Sequence, residues 1–183
     1  MKAGQNLKVN RTQNLKVKSA RKKNVRGISI CKAVARLKRG EKLPIAFYNN
    51  RGVGPNRATW SSFIGLVVRN PQICSFRSRK WKSKSRAELE HMWAAVTEYF
   101  HNPNMIDYKY HTLIHMRDRW NKWRSVLYRE YAKPCGSEED AVENKPDAVG
   151  NQEDWEWCVK HVFYSPEFQK LSKNNALNRM KKL

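Results

Sequence analysis

Two pairs of metal-ligating side chains stand at helical spacing in this sequence. His111 and His115 are four residues apart, and Cys158 precedes His161 by three, so each pair would share one helix face. Each is half of a tetrahedral site without a second half, and both pairs read as packing or surface residues. The other cysteines, Cys31, Cys74 and Cys135, are widely scattered. That spacing excludes a zinc ribbon or a disulfide framework, and all four read as reduced thiols. Gly52-Val53-Gly54 has neither the Gly-Lys-Ser/Thr ending nor the βαβ context of a phosphate loop, and reads as a turn. There is no G-x-S-x-G and no signature of a catalytic cysteine. The carboxylates that a metal-dependent nuclease would gather on strands fall instead in helical segments and in residues 138–147. The residues therefore nominate no catalytic group, cofactor or metal, and the chain reads as a non-enzyme.

The remaining chemistry is cationic. Over 183 residues the chain carries 37 Lys+Arg and 16 Asp+Glu, a formal charge of +21. Residues 1–87 hold 23 of the bases and a single acid, Glu41, a local net of +22 (23 − 1). Residues 88–183 hold 14 bases and 15 acids, a net of −1. Such a block repels itself and calls for a polyanion, nucleic acid first and anionic membrane second. A membrane-lying segment needs bulky apolar anchors, and residues 1–40 contain no Trp, Phe or Tyr. No apolar run approaches the roughly 18 residues of a membrane span, and no signal-peptide core opens the chain, so neither insertion nor export is expected. Binding to single-stranded RNA stays open, since charge does not separate RNA from DNA.

The candidate phosphate contacts form three groups. Lys16, Lys18, Arg21, Lys22 and Lys23 make a basic arm that also reads as a nuclear import signal. Arg77, Arg79, Lys80, Lys82 and Lys84, in a segment that includes Arg69 and Arg86, are interleaved with Phe76 and Trp81 as a phosphate-tracking surface would be. Arg119, Lys122 and Arg129 lie opposite the apolar stripe of a long helix, as a groove-facing or merely solvated face. Asn175, Asn178 and Arg179 in the last helix are candidates for base edges, where Arg suits guanine and Asn adenine.

These groups need elements to hold them. Residues 1–27 read as a disordered basic tail containing the repeat Gln5–Val9 and Gln13–Val17, residues 28–84 as a basic region, and residues 85–183 as a helical domain. A short helix is expected over 28–38 with Ile30, Val34 and Leu37 on one side, stopped by Gly40. Leu43 to Tyr48 reads as a strand closed by Asn49-Asn50-Arg51-Gly52, a minor hairpin near 43–55. Trp60, Phe63, Ile64, Val67 and Val68 follow helical spacing, with Asn56 or Thr59 as N-cap and an end before Pro71. Ser85 and Glu88 fit a capping box for a helix bearing Leu89, Trp93, Val96 and Phe100. The longest helix runs from Tyr108 to Ala132 with Leu113, Met116, Trp120, Trp123, Leu127 and Tyr131 as its stripe, flanked by Arg117 and Arg124. Residues 137–150 read as a loop, a further helix near Asn151 buries Trp155, Val159 and Val162, and Ser165-Pro166-Glu167 starts the last helix. The fold class is therefore mainly α: a small helical bundle whose core aromatics include Trp93, Trp120 and Trp155, Myb/trihelix-like by analogy.

Read together, several segments resemble the plant transposase proteins of En/Spm (CACTA-type) transposons. They are Gly40–Phe47, Arg51–Asn56, Phe63–Arg69, Lys80-Trp81, Met92-Trp93, Phe100, the helix from Arg119-Trp120 to Tyr131, Glu153-Asp154-Trp155, and Ser165–Lys170 with Ser172, Asn175, Asn178 and Arg179. In order and spacing they cover residues 26–183. The resemblance implies a nuclear, transposon-derived protein that binds double-stranded DNA such as element ends, without being the catalytic nuclease. Transposase subunits or a second copy of the chain are the further partners it implies. The basic tail falls outside the match and the chain stops at Leu183, which fits a decayed remnant. An interaction module of a transposition complex, its helical half binding a protein while the tail directs import, is the other alternative.

Overall fold

The computed structural model describes residues 31–180. Residues 1–30 and 181–183 lie outside the description, and with them the expected tail, Lys16, Lys18, Arg21, Lys22, Lys23 and Ile30. The described chain is mainly α-helical with two small two-stranded sheets.

α1 is a single turn, Lys32–Ala35, with Val34 buried beneath it. It is shorter than the expected 28–38 helix, and Gly40 sits beyond it in a turn at φ +84°, a conformation open to glycine at no steric cost. The strand expected over Leu43–Tyr48 divides in two. β1 (Leu43–Pro44) runs parallel to β4 (Phe100–His101), while β2 (Ala46–Tyr48) and β3 (Arg51–Val53) form an antiparallel hairpin. Between them Asn49 and Asn50 both take positive φ, 45° and 61°, as a two-residue primed turn requires, and asparagine tolerates that region well. Ile45, between β1 and β2, is buried; its carbonyl accepts from Asn102 and its N–H donates to the carbonyl of His101.

α2 (Arg57–Val67) presents Trp60, Ile64 and Val67 to the core, continued by Val68. Asn56 occupies its N-cap but spends its side chain on the Pro44 carbonyl, tying the hairpin to the helix. α3 (Arg86–Tyr99) starts at Ser85, whose hydroxyl accepts from the Glu88 N–H. The reciprocal half of the expected capping box is missing, because Glu88 turns its carboxylate to Ser75 and Lys84. α4 (Lys109–Leu127) is the central helix and continues through a π-turn over Tyr128–Ala132, together matching the expected Tyr108–Ala132.

Residues 137–150 are a correction. Ser137 caps a short helix, α5 (Glu138–Glu143), by accepting from the Asp140 N–H. Three acids in its first turn complement the helix dipole, and Ala141 is its buried contact. Acidic, proline-bearing sequence hides a six-residue helix anchored by buried Ala141 and partly buried Val142. α6 (Gln152–Cys158) is capped by Asn151 and passes into a second π-turn, Val159–Phe163. α7 (Pro166–Met180) opens with proline in its first turn, and the Phe168 N–H donates to Ser165 Oγ at 3.4 Å.

Two apolar clusters meet along α4. One joins α1, the hairpin region, α2 and α3 to the first half of α4 through Trp60, Ile64, Met92, Val96, Phe100, Met116 and Trp120. The other joins the end of α4 to α5, α6 and the start of α7 around Leu127, Trp155, Val159 and Phe163. Trp93, Trp120 and Trp155 are all buried, and Trp155 Nε1 donates to the Ala141 carbonyl at 2.8 Å. α2 packs on both α3 and α4, so one core extends across the sequence on either side of residues 84 and 85. No helix among the described residues is long and apolar enough to cross a membrane.

Candidate nucleic-acid interface

The cations of residues 77–84 meet different fates. Arg79, Lys80 and Lys82 are exposed. Arg77 forks onto two carboxylates of α6, Asp154 at 2.6 Å and Glu153 at 3.0 Å, which raises its pKa and fixes the segment to the second cluster. Lys84 is a correction: its side chain is fully buried, so it presents no charge to a phosphate. Its ammonium donates to Glu88 Oε1 at 2.6 Å, to the Ser75 carbonyl at 3.0 Å and to Ser78 Oγ at 3.3 Å. All three donors of the ammonium are used.

Arg124, expected at the margin of the α4 stripe, is also buried. Its guanidinium donates to the Ser78 carbonyl and to Cys158 Sγ, and it lies 4.4 Å from the centre of the Trp120 ring. Lys84 lies over the same ring at 5.3 Å. A desolvated cation over an indole face is attracted by the ring quadrupole, which accounts for two charges at a junction otherwise made of Phe76, Trp120 and Trp123. Burial raises the pKa of Cys158, and the nearby Arg124 opposes that shift. Cys158 is thus engaged away from His161, which is exposed.

Lys122 on α4 and Arg129 in the π-turn that follows are exposed, the latter bonded to its neighbour Glu130 at 3.0 Å. Asn175 and Asn178 are exposed on α7, where Arg179 also lies. Arg119 behaves differently. It reaches across to α2, where its guanidinium donates to Ser61 Oγ. His115, one turn earlier on α4, brings Nε2 to 3.5 Å from the same oxygen.

Beside them Arg69, exposed and two residues past the end of α2, folds back along that helix. A Cβ built on Gly65 would stand 3.3 Å from Arg69 Nη2, so the guanidinium lies directly over the bare backbone there. Burial and then the Arg119 charge lower the Arg69 pKa, and burial followed by Arg119 lowers that of His115, with Asp118 acting weakly the other way. Asp118 is itself bonded to Arg117 at 3.1 Å. The α2–α4 groove thus gathers two guanidinium groups, an imidazole and a hydroxyl.

Of these four side chains, sequence spacing nominated Arg119 as a contact and Arg69 only as part of a basic segment. Ser61 and Gly65 on α2 and Arg69 just past its end recur every four residues, as do His111, His115 and Arg119 on α4. That periodicity could have marked two polar stripes, but not that they face one another. His111 and His115 remain on one side of α4, with His115 turned to Ser61. Comparison with protein-family models, with curated proteins and with solved structures gave no match.

Proposed function

We propose that this chain is a non-catalytic nucleic-acid-binding protein that holds double-stranded DNA chiefly through its phosphates. One observation carries the reading: among the described residues, the fold leaves most bases of the segment 31–87 without a carboxylate partner. Residues 31–87 contain 14 Lys and Arg, of which two, Arg77 and Lys84, are paired with carboxylates, leaving twelve (14 − 2) beside Glu41 alone. A surface of that sign raises the local concentration of a polyanion and steers its approach. The resemblance to En/Spm transposase proteins extends the proposal to a transposon-derived protein of the plant nucleus, acting at element ends.

Selection from random duplex DNA by the purified full chain at physiological salt tests this reading. An enriched sequence motif is the expected result and would then be sought at transposon ends. Retention without enrichment would overturn sequence-selective recognition and leave charge as the only binding force. A second reading, an interaction module for transposase subunits or a second copy of the chain, draws on α7, where Leu171, Leu177 and Met180 are exposed. A segment of α7 that captures a partner while the full chain shows no affinity for duplex would favour it.

A further inference from the structure

We propose that the groove between α2 and α4 at Ser61, Arg69, His115 and Arg119 is a phosphate subsite, and that a backbone phosphate of the bound DNA occupies it. The inference rests on the nucleic-acid reading and narrows it to one place.

The geometry argues for an anion in three ways. First, Arg119 on Ser61 and Arg69 over Gly65 stand one turn apart along α2, and among the described residues neither is paired with a carboxylate. Asp118, whose charge acts on His115, is held by Arg117 through two hydrogen bonds of 3.1 Å. Arg119 is half-buried and Arg69 exposed; like charges brought together there oppose folding, and a bound anion turns that repulsion into attraction. Second, the donors are of the right kind. Guanidinium forks match the tetrahedral oxygens of phosphate, and the Ser61 hydroxyl, already accepting from Arg119, has a proton to give. Third, the missing side chain at Gly65 lets the Arg69 guanidinium lie against α2, one turn from the Ser61–Arg119 contact. Lys122, exposed three residues beyond Arg119 on α4, extends the same positive line along the helix.

DNA is preferred to a free anion because α2 belongs to the segment 31–87, twelve of whose bases have no carboxylate partner, and such a segment is suited to a polyanion. A lone phosphate would need no such surroundings.

The experiment has two arms, both on the full chain. In the first, inorganic phosphate is titrated at constant ionic strength while the arginine Nε–H resonances are followed by NMR. Arg69 and Arg119 should shift together and saturate, Arg79 and Arg86 should not, and Arg119→Gln should abolish the response at Arg69. Shifts that never saturate, or that are equal at all four arginines, overturn the subsite. In the second arm, duplex affinity is measured against salt for the wild type, for Arg69→Gln with Arg119→Gln, and for Arg119→Lys, which keeps the charge but loses the fork.

The double variant should lower the slope of log K against log salt by about 1, as losing one phosphate contact does. Arg119→Lys should keep the slope and weaken binding a few-fold. Far-UV spectra and melting temperature of each variant establish that it folds, and the double variant should melt no lower than the wild type. A saturable phosphate response with an unchanged salt slope overturns the assignment to DNA. A wild-type chain that binds no duplex overturns the functional reading itself, while the phosphate arm still decides whether the groove holds an anion.

Discussion

Lys84 and Arg124 carry their charges into the junction of the two apolar clusters, and the groups around each determine what its removal should do. Lys84 neutralises Glu88, whose side chain is 17% exposed, and satisfies a backbone carbonyl. Lys84→Ala should therefore destabilise the fold by about 3 kcal/mol, read by urea denaturation, because it leaves a largely buried carboxylate without its partner. The salt slope of DNA binding should not move; a reduced slope in a folded Lys84→Ala protein would return this residue to the interface. Thr112 Oγ1 is buried and has no hydrogen-bond partner among the described residues. Thr112→Val should accordingly be neutral, or stabilising by up to about 1 kcal/mol, in the same assay. A loss of stability would mean that the hydroxyl has a partner.

His115 gives a pH dependence. Its folded pKa is depressed by burial and by Arg119, so below its ordinary value of about 6.5 the unfolded chain takes up a proton that the folded chain resists. Its contribution to stability is full above that pH and is lost as pH falls through the window beneath it, down to the depressed folded pKa. His115→Gln should lose less stability than the wild type between pH 7.5 and 5.5, by denaturant midpoints. Equal losses would contradict the burial argument.

At the scale of elements, the hairpin and α2 depend on one close approach. A Cβ at Gly52 would stand 2.9 Å from Trp60 Cδ1 and 3.4 Å from Ile45 Cδ1, both in the core. Trp60 Cδ1 belongs to a rigid indole buried in the core, so Gly52→Ala should cost about 1–3 kcal/mol by thermal or urea unfolding. An unchanged midpoint would show that the hairpin can move away from α2. Most elements were legible because local signals agreed. Asn-Asn between short apolar runs marks the turn, Ser85, Asn151 and Ser165-Pro166 mark helix starts, and regular aromatics mark α4. α5 was not legible, since Ala141 is its single fully buried side chain and its acids look like solvated loop. The site was legible only as charge. Sequence shows that Arg77 and Lys84 are cations, not that carboxylates from α6 and α3 are folded against them. In the same way, it shows a serine and a histidine but not the pairing of α2 with α4 that brings them to two arginines. Those pairings span 77 positions for Arg77–Asp154 and 58 for Arg119–Ser61, beyond the reach of any local pattern.

For the molecule as a whole, function is argued from the imbalance between two halves of one chain. The second half is nearly neutral, and two of its acids, Glu153 and Asp154, serve to hold Arg77. The first half keeps twelve of its described bases out of ion pairs with carboxylates, and the long-range attraction this implies falls off with added salt. The most direct test is the affinity of the full chain for duplex DNA between 50 and 200 mM salt. With about eight phosphates engaged, log K should fall against log salt with a slope of about −7. An affinity that does not change with salt, or no measurable binding at the low end, would contradict the account.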